Sequence, residues 1–193
     1  MTTFVLSGGG NLGAVQVGML SALVEAGIRP SMIVGTSVGA INGAFLASRS
    51  SVQGVAEIAD FWVTLRRDHL LELRMRSLAR GVWGRSYFFD SKPMRRVVES
   101  FLAFDRLERS PIPVAVVATA LSTGEAVVLD SGDAATALLA STAIPRVLPP
   151  VYIGGRLLVD GAAAADVPLR QALSLDMGEM YVFPTAPAQV VRM

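Results

Sequence analysis

Val34-Gly35-Thr36-Ser37-Val38-Gly39 sets a serine between two glycines, in the order Gly-x-Ser-x-Gly. Apolar residues lead in (Met32, Ile33, Val34), and a small-residue stretch from Ala40 to Ala47 leads out. The pattern is that of a nucleophile elbow, a sharp strand-to-helix turn that lifts a serine hydroxyl clear of a sheet. Gly35 and Gly39 suit the elbow because a side chain two positions either side of the serine would strike the neighbouring strand or the helix start. Gly43 and Ala47 continue the row of minimal side chains at four-residue spacing, so the helix is expected to lie close on the sheet. Any Gly-Ser-Gly loop between a strand and a helix matches the same pattern, so its meaning depends on what surrounds it.

Upstream, Thr3 to Ser7 is a short β-rich run that ends in Gly8-Gly9-Gly10. From Asn11 to Ala26, Leu12, Val15, Met19, Leu20, Leu23 and Val24 recur at three-and-four spacing and predict an amphipathic helix closed by Gly27. Downstream, Val55, Ile58, Ala59, Trp62, Val63 and Leu65 form one helical face, and Ser91 with Pro93 opens a further helix to about Leu102. Pro111 to Ala120 is a continuous apolar run rich in β-branched residues, the pattern of a strand buried on both faces, with Glu125 to Leu129 as its partner across Ser122-Thr123-Gly124. A helix near Ala134 to Ala140, a proline-rich loop, a strand Arg156 to Val159 ending at Asp160, a helix after Asp166-Val167-Pro168 and a strand Met180 to Phe183 complete the chain. This alternation predicts an α/β fold with a mostly parallel sheet covered on both faces, as one domain over residues 1–193. Functional groups in such sheets collect at strand carboxyl ends. Gly8 to Gly10, Ser37 and Asp160 all lie at such ends and so can share one rim.

Composition narrows the chemistry. The chain is 52% hydrophobic and 17% charged with a net charge of +1, which gives no global attraction to nucleic acid or membrane. There is no cysteine, hence no disulfide, no thiolate nucleophile and no cysteine-ligated metal. The single histidine, His69, argues against a histidine-rich metal site, and no cofactor is expected. Two uncharged windows, Phe4 to Val24 and Pro30 to Ser48, are long enough to cross a bilayer of ~30 Å. Glycine-rich turns carrying Ser7, Asn11, Thr36 and Ser37 interrupt both, so no transmembrane helix is expected. Met1-Thr2-Thr3 lacks the basic opening of a secretory signal, and the chain reads as cytoplasmic or peripheral to a membrane.

The first glycine cluster, Ser7-Gly8-Gly9-Gly10-Asn11-Leu12-Gly13, satisfies Gly-x-Gly-x-x-Gly between a strand and a helix. A dinucleotide site also needs an acidic residue about twenty positions on, at the end of the next strand. No acid occurs between Glu25 and Glu57, which counts against nucleotide binding at Gly8–Gly13. The other functional reading is an oxyanion site built of bare backbone N–H groups at a helix start. A serine nucleophile also needs a base. His69 sits in Arg66-Arg67-Asp68-His69-Leu70, far from any strand end, so a carboxylate is the better candidate. A partly desolvated aspartate touching the hydroxyl can serve. Asp160, in Leu158-Val159-Asp160-Gly161, is placed for this, while Asp166 reads as a helix cap and Asp130 and Asp133 lie in a turn.

Taken together, Ser7-Gly8-Gly9-Gly10-Asn11-Leu12-Gly13, Gly35-Thr36-Ser37-Val38-Gly39 and Asp160-Gly161-Ala162 resemble, in order and spacing, the three sequence blocks of patatin-like phospholipases. Ala143-Ile144-Pro145, Pro149-Pro150 and Val167-Pro168-Leu169 extend the likeness over nearly the whole chain. The resemblance implies a three-layer α/β/α sandwich with a mostly parallel central sheet and a Ser-Asp dyad without histidine. It implies hydrolysis of lipid acyl esters, in some cases with acyl transfer. Ser37 would be the nucleophile, Asp160 the base, and the N–H groups of Gly9 and Gly10, helped by Gly8, the oxyanion hole. Leu12 stands where the family usually carries Arg or Lys, and Asp-Gly-Ala where Asp-Gly-Gly is commoner. A non-catalytic lipid- or partner-binding module on the same fold is the alternative that follows from Leu12, with nucleotide binding third.

Nine of the 17 basic residues fall between Arg66 and Arg96, interleaved with leucines and aromatics. This composition suits an interfacial or cap segment, about 66–96, that meets anionic lipid through Arg74, Arg76, Arg80 and Arg85. A solvated helical face accounts for it equally well. Nucleic acid is not an expected partner.

Overall fold

The computed structural model describes residues 1–65, 72–73, 89–175 and 178–185. His69, Arg74, Arg76, Arg80 and Arg85 lie outside the described residues, and so does most of the 66–96 segment. In chain order the strands are β1 (Thr2–Leu6), β2 (Met32–Thr36), β3 (Glu72–Leu73), β4 (Phe89–Asp90), β5 (Val114–Ala120), β6 (Ala126–Leu129), β7 (Val151–Ile153), β8 (Arg156–Asp160) and β9 (Glu179–Phe183). The helices are α1 (Gly13–Glu25), α2 (Val38–Ser48), α3 (Val52–Thr64), α4 (Lys92–Phe101), α5 (Ala134–Ser141), α6 (Ala162–Ala165) and α7 (Leu169–Leu175).

The main sheet has the order β7-β8-β5-β2-β1-β9, with β6 also paired to β5. β5, β2, β1 and β9 are mutually parallel, β6 and β8 run against β5, and β7 runs against β8. β7 thereby returns to the direction of the parallel set, so the sheet is mostly parallel. All of β5 is buried, as its β-branched run predicts. The short β7 was not anticipated from sequence. It pairs with β8 through a two-residue turn, Gly154-Gly155, with φ of 56° and 81°. Both positions are left-handed, which is what a tight hairpin turn demands of its glycines.

The pairing along β5 brings the two halves of the site together. β6 occupies one edge of β5 from Val116 to Thr119. The other edge is shared: β2 pairs with Val114 to Val117, and β8 takes over from Ala118 to Ala120. Because β8 is antiparallel, its carboxyl end runs towards the carboxyl end of β2. Thr36 lies opposite Val117 and Asp160 opposite Ala118, on consecutive residues of one strand.

Helices cover both faces. α1 to α5 pack over a core that includes Phe4, Leu6, Ile33, Leu46, Ile58, Phe101 and Leu138. On the other face α6 and α7 sit over Val5, Val34, Ala115 and Val117 through Ala165 and Ala172. α2 is buried from Val38 to Ala47, a helix enclosed on all sides. The small-residue row makes that possible. A methyl group on Gly39 would strike the Leu6 and Ser7 carbonyls, the latter at 2.5 Å, and one on Gly43 would come within 2.6 Å of Ile33 Cγ2. Among the described residues no helix is long and apolar enough to cross a membrane.

Three local expectations are corrected. α1 buries Gly13, Gln16, Val17, Leu20 and Val24, while Leu12 is 46% and Val15 54% exposed. The Ser7 carbonyl beyond β1 needs a donor there, and the Phe183 carbonyl at the end of β9, which already accepts the Ser7 N–H at 3.1 Å, has room for a second. Gln16 serves both, and an apolar side chain in its place could not. In α3, Val63 is 86% exposed, and Phe61 turns inward to pack on Phe45 and Phe101. At α4, Ser91 makes no capping bond because its backbone is already helical, and Asp90 Oδ1 instead accepts the Lys92 N–H at 3.0 Å.

Candidate active site

β2 runs out at Thr36 and the chain turns at Ser37, whose φ of 52° and ψ of −122° lie in a region that L-residues avoid. A residue held there costs about 1–3 kcal/mol, so the surroundings must over-determine it. They do so from three sides. The Ser37 N–H donates to Ser141 Oγ at 2.8 Å, and Ser141 Oγ donates to the Val117 carbonyl at 2.6 Å. Thr36 Oγ1 donates to the Ala165 carbonyl at 2.8 Å. The Ser37 carbonyl accepts from Ala40 and Ile41, the first bonds of α2. The elbow glycines are required by contact: a methyl on Gly35 would lie 2.7 Å from the Ala40 backbone.

The Ser37 side chain does not cap its helix. Its hydroxyl donates to Asp160 Oδ2 at 2.7 Å, and both residues are only 6% exposed. Asp160 Oδ1 accepts the Ala162 N–H at 2.8 Å. The Asp160 backbone is fixed in turn, its N–H on the Ala143 carbonyl at 3.0 Å and its own carbonyl on Thr119 Oγ1 at 2.8 Å. Burial pushes the Asp160 pKa above the usual carboxylate value. The hydrogen bonds from Ser37 and Ala162 pull it back without cancelling the shift, and the Asp166 carboxylate adds to the rise. A buried carboxylate with a raised pKa, bonded directly to a serine hydroxyl, can accept that proton.

The first glycine loop closes on this pair. A methyl group on Gly8 would sit 3.6 Å from Ser37 Cβ and 2.5 Å from Asp166 Oδ1. The Gly8 N–H, expected to assist the oxyanion hole, donates to the Asp166 carbonyl at 2.9 Å and is therefore occupied. The N–H groups of Gly9 and Gly10 have no acceptor among the described residues. Their φ values of 139° and 58° favour glycine. Asp166, read from sequence as a helix cap, ends α6 and serves the loop through its carbonyl. Asp133 caps α5 by accepting the Thr136 N–H, which removes it as a rival base.

Ser141, Gln16 and Thr185 escaped the sequence reading, because a buried serine, glutamine or threonine carries no local pattern of its own. Of the basic stretch, Arg95 is tied to Glu99 and Thr136, so it braces α4 against α5. A cleft of about 480 Å³ beside α4, lined by Glu99, Phe104, Asp105 and Asp133, shares no residue with the Ser37–Asp160 pair. Its carboxylates are matched by Arg95 and Arg109. Among the described residues no three His, Asp or Glu side chains gather closely enough to hold a metal ion.

Comparison with known proteins bears on these features. A family model described as patatin-like phospholipase matches residues 4–173. An uncharacterised NTE family protein of Mycobacterium bovis is 32% identical over 165 residues, which is 85% of this chain and 43% of that protein. A stretch of 58 residues, 30% of this chain and 4% of the relative, is 45% identical to the neuropathy target esterase sws of Drosophila melanogaster. The crystal structure of VipD from Legionella pneumophila superposes with a TM-score of 0.67 over 94% of this chain and 49% of VipD, at 16% identity, and so shares the fold. The chain spans less than half the length of these relatives.

Proposed function

The chain belongs to the patatin-like phospholipase family, and from that premise we propose that it is a serine hydrolase of lipid acyl esters, with Ser37 as nucleophile and Asp160 as base. Ser37 Oγ attacks the ester carbonyl carbon as Asp160 Oδ2 takes its proton. The carbonyl oxygen becomes an oxyanion and rests on the N–H groups of Gly9 and Gly10. Collapse of the tetrahedral species expels the alcohol, which leaves with the proton held by Asp160, and an acyl-Ser37 ester remains. Water, deprotonated by the same carboxylate, attacks that ester and releases the fatty acid. A lipid hydroxyl in place of water would transfer the acyl group instead.

The observation that carries this reading is the 2.7 Å hydrogen bond from Ser37 Oγ to buried Asp160, made by a serine held at positive φ. The names of the relatives, a phospholipase family and an esterase, support the substrate class. The decisive test is fluorophosphonate labelling together with p-nitrophenyl ester turnover. Both are expected in the wild type and absent from Ser37→Ala, and equal turnover by the two proteins would reject the mechanism.

A further inference from the structure

A trans peptide is planar, and its C=O and the following N–H point in opposite directions. Where a loop's carbonyls are anchored therefore decides where its N–H groups point. The Gly8 carbonyl, which shares a peptide plane with the Gly9 N–H, accepts from Thr185 Oγ1 at 2.6 Å and from Ser7 Oγ at 3.0 Å. The Thr185 N–H donates to Ser7 Oγ at 3.0 Å, so the two residues are locked to each other. Thr185 is 9% exposed, and a side chain on Gly9 would collide with it.

The frame behind this contact is braced by a second chain of polar groups, fully buried at Gln16 and Asn42. Gln16 Nε2 donates to the carbonyls of Ser7 and Phe183, both at 2.9 Å, and so ties the end of β1 to the end of β9. Its Oε1 accepts from Asn42 Nδ2 at 2.9 Å, and Asn42 Nδ2 also reaches the Gly13 carbonyl at 2.9 Å on the far side of the loop. Asn42 Oδ1 accepts from Trp62 Nε1 at 2.9 Å. Both N–H donors of each amide are used. Apolar residues would fill the same space, but they would not fix the direction of these carbonyls.

We propose that Thr185, which lies beyond the family match at residues 4–173, is a positioning residue: its hydroxyl sets the Gly8–Gly9 peptide plane and so aims the Gly9 N–H at the oxyanion. The Ser7 N–H joins the Phe183 carbonyl directly at 3.1 Å, and Gln16, bonded to both carbonyls, reinforces the link that keeps Thr185 within reach. The proposal rests on the Ser37/Asp160 reading for its role in turnover, though the effect on the peptide plane is independent of it.

Thr185→Val keeps the shape and removes the hydroxyl, and Thr185→Ser keeps the hydroxyl. Thr185→Val is expected to lower kcat by about tenfold to 100-fold with KM unchanged, since a misaimed donor acts only on the transition state. The affinity for a trifluoromethyl ketone, which forms an oxyanion on the serine, should fall by the same factor, and Thr185→Ser should restore both. A fall in Tm alone, with kcat and ketone affinity intact, would overturn the proposal. If the wild type shows no Ser37-dependent turnover, the hydrolase reading fails, and the amide resonance of Gly9 in ¹⁵N spectra still decides this one. It should shift in Thr185→Val and return in Thr185→Ser, and an unmoved Gly9 amide overturns the proposal.

Discussion

Asp160 accepts the hydroxyl of Ser37 at 2.7 Å across a sequence separation of 123 residues. The two are brought together by a single strand. β2 and β8 abut end to end along the same edge of β5, one parallel and one antiparallel, and Thr36 and Asp160 lie opposite consecutive residues, Val117 and Ala118. Each residue is then held by further hydrogen bonds, Ser37 through Ser141 and Asp160 through Ala162 and Thr119. The arrangement has consequences for pH dependence and for stability.

In the proposed mechanism the raised pKa of Asp160 sets the acid limb of activity. A base must be ionised, so kcat/KM should fall with decreasing pH through a value above the usual carboxylate range. Asp166 contributes to the rise by repulsion, so Asp166→Asn should move the limb to lower pH. A pH–rate profile of the two proteins checks this, and a limb that stays in place would remove Asp166 from the electrostatics of the site.

The same shift has the opposite consequence for stability. The folded pKa of Asp160 lies above its unfolded value, so between the two the folded state holds the extra proton. The associated stability is complete below the unfolded pKa and is lost as pH rises through the folded one. Asp160→Asn should therefore abolish turnover yet melt higher than the wild type at neutral pH, with the gap closing as pH falls. Thermal melts from the usual carboxylate range up to neutral pH will show whether the gap closes.

Backbone strain at Ser37 predicts an unusual order among substitutions. Ser37→Ala keeps the φ of 52° and loses the hydroxyl, whereas glycine is at ease in that conformation. With the proposed nucleophile gone, both variants should lose about 10⁶-fold in rate, but Ser37→Gly should be the more stable by about 1 kcal/mol. Urea titration of the pair gives the difference directly.

The glycines divide by contact. Gly39→Ala drives a methyl into the Leu6 and Ser7 carbonyls and should cost about 1–3 kcal/mol or prevent folding. Gly18 lies on the exposed side of α1, where an added methyl would meet nothing within 4 Å, so Gly18→Ala should gain about 0.5–1 kcal/mol. Equal melting shifts for the two variants would contradict the close approach of α2 to β1.

The composition of the 66–96 stretch predicts contact with anionic lipid. Replacing Arg74, Arg76, Arg80 and Arg85 by Gln should weaken sedimentation with phosphatidylserine vesicles and leave turnover of a water-soluble ester intact. Unchanged sedimentation would assign these arginines to a solvated surface.

Much of this protein was legible without coordinates, because the signals are local. The glycines flanking Ser37, the all-buried run of β5 and the placing of Gly8, Ser37 and Asp160 at strand carboxyl ends follow from short-range sterics and from the period of the apolar residues. That carried the α/β class, the mostly parallel sheet and the candidate pair. Other features depend on where distant segments meet, and no local period records that. Gln16 lies on the buried face of α1, and Val15 off it, because two strand-end carbonyls, those of Ser7 and Phe183, converge on Gln16. The Gly8 N–H, expected to help hold an oxyanion, is hydrogen-bonded because the Asp166 carbonyl reaches it from the far end of α6. Thr185 meets the Gly8 carbonyl because β9 pairs with β1 and carries the following hydroxyl to the first glycine loop. Residue order alone was enough for the elements and for the rim they share. Which backbone groups on that rim are already hydrogen-bonded, and which remain free, emerged only from the folded chain, since a hydrogen bond has direction and needs both partners in register.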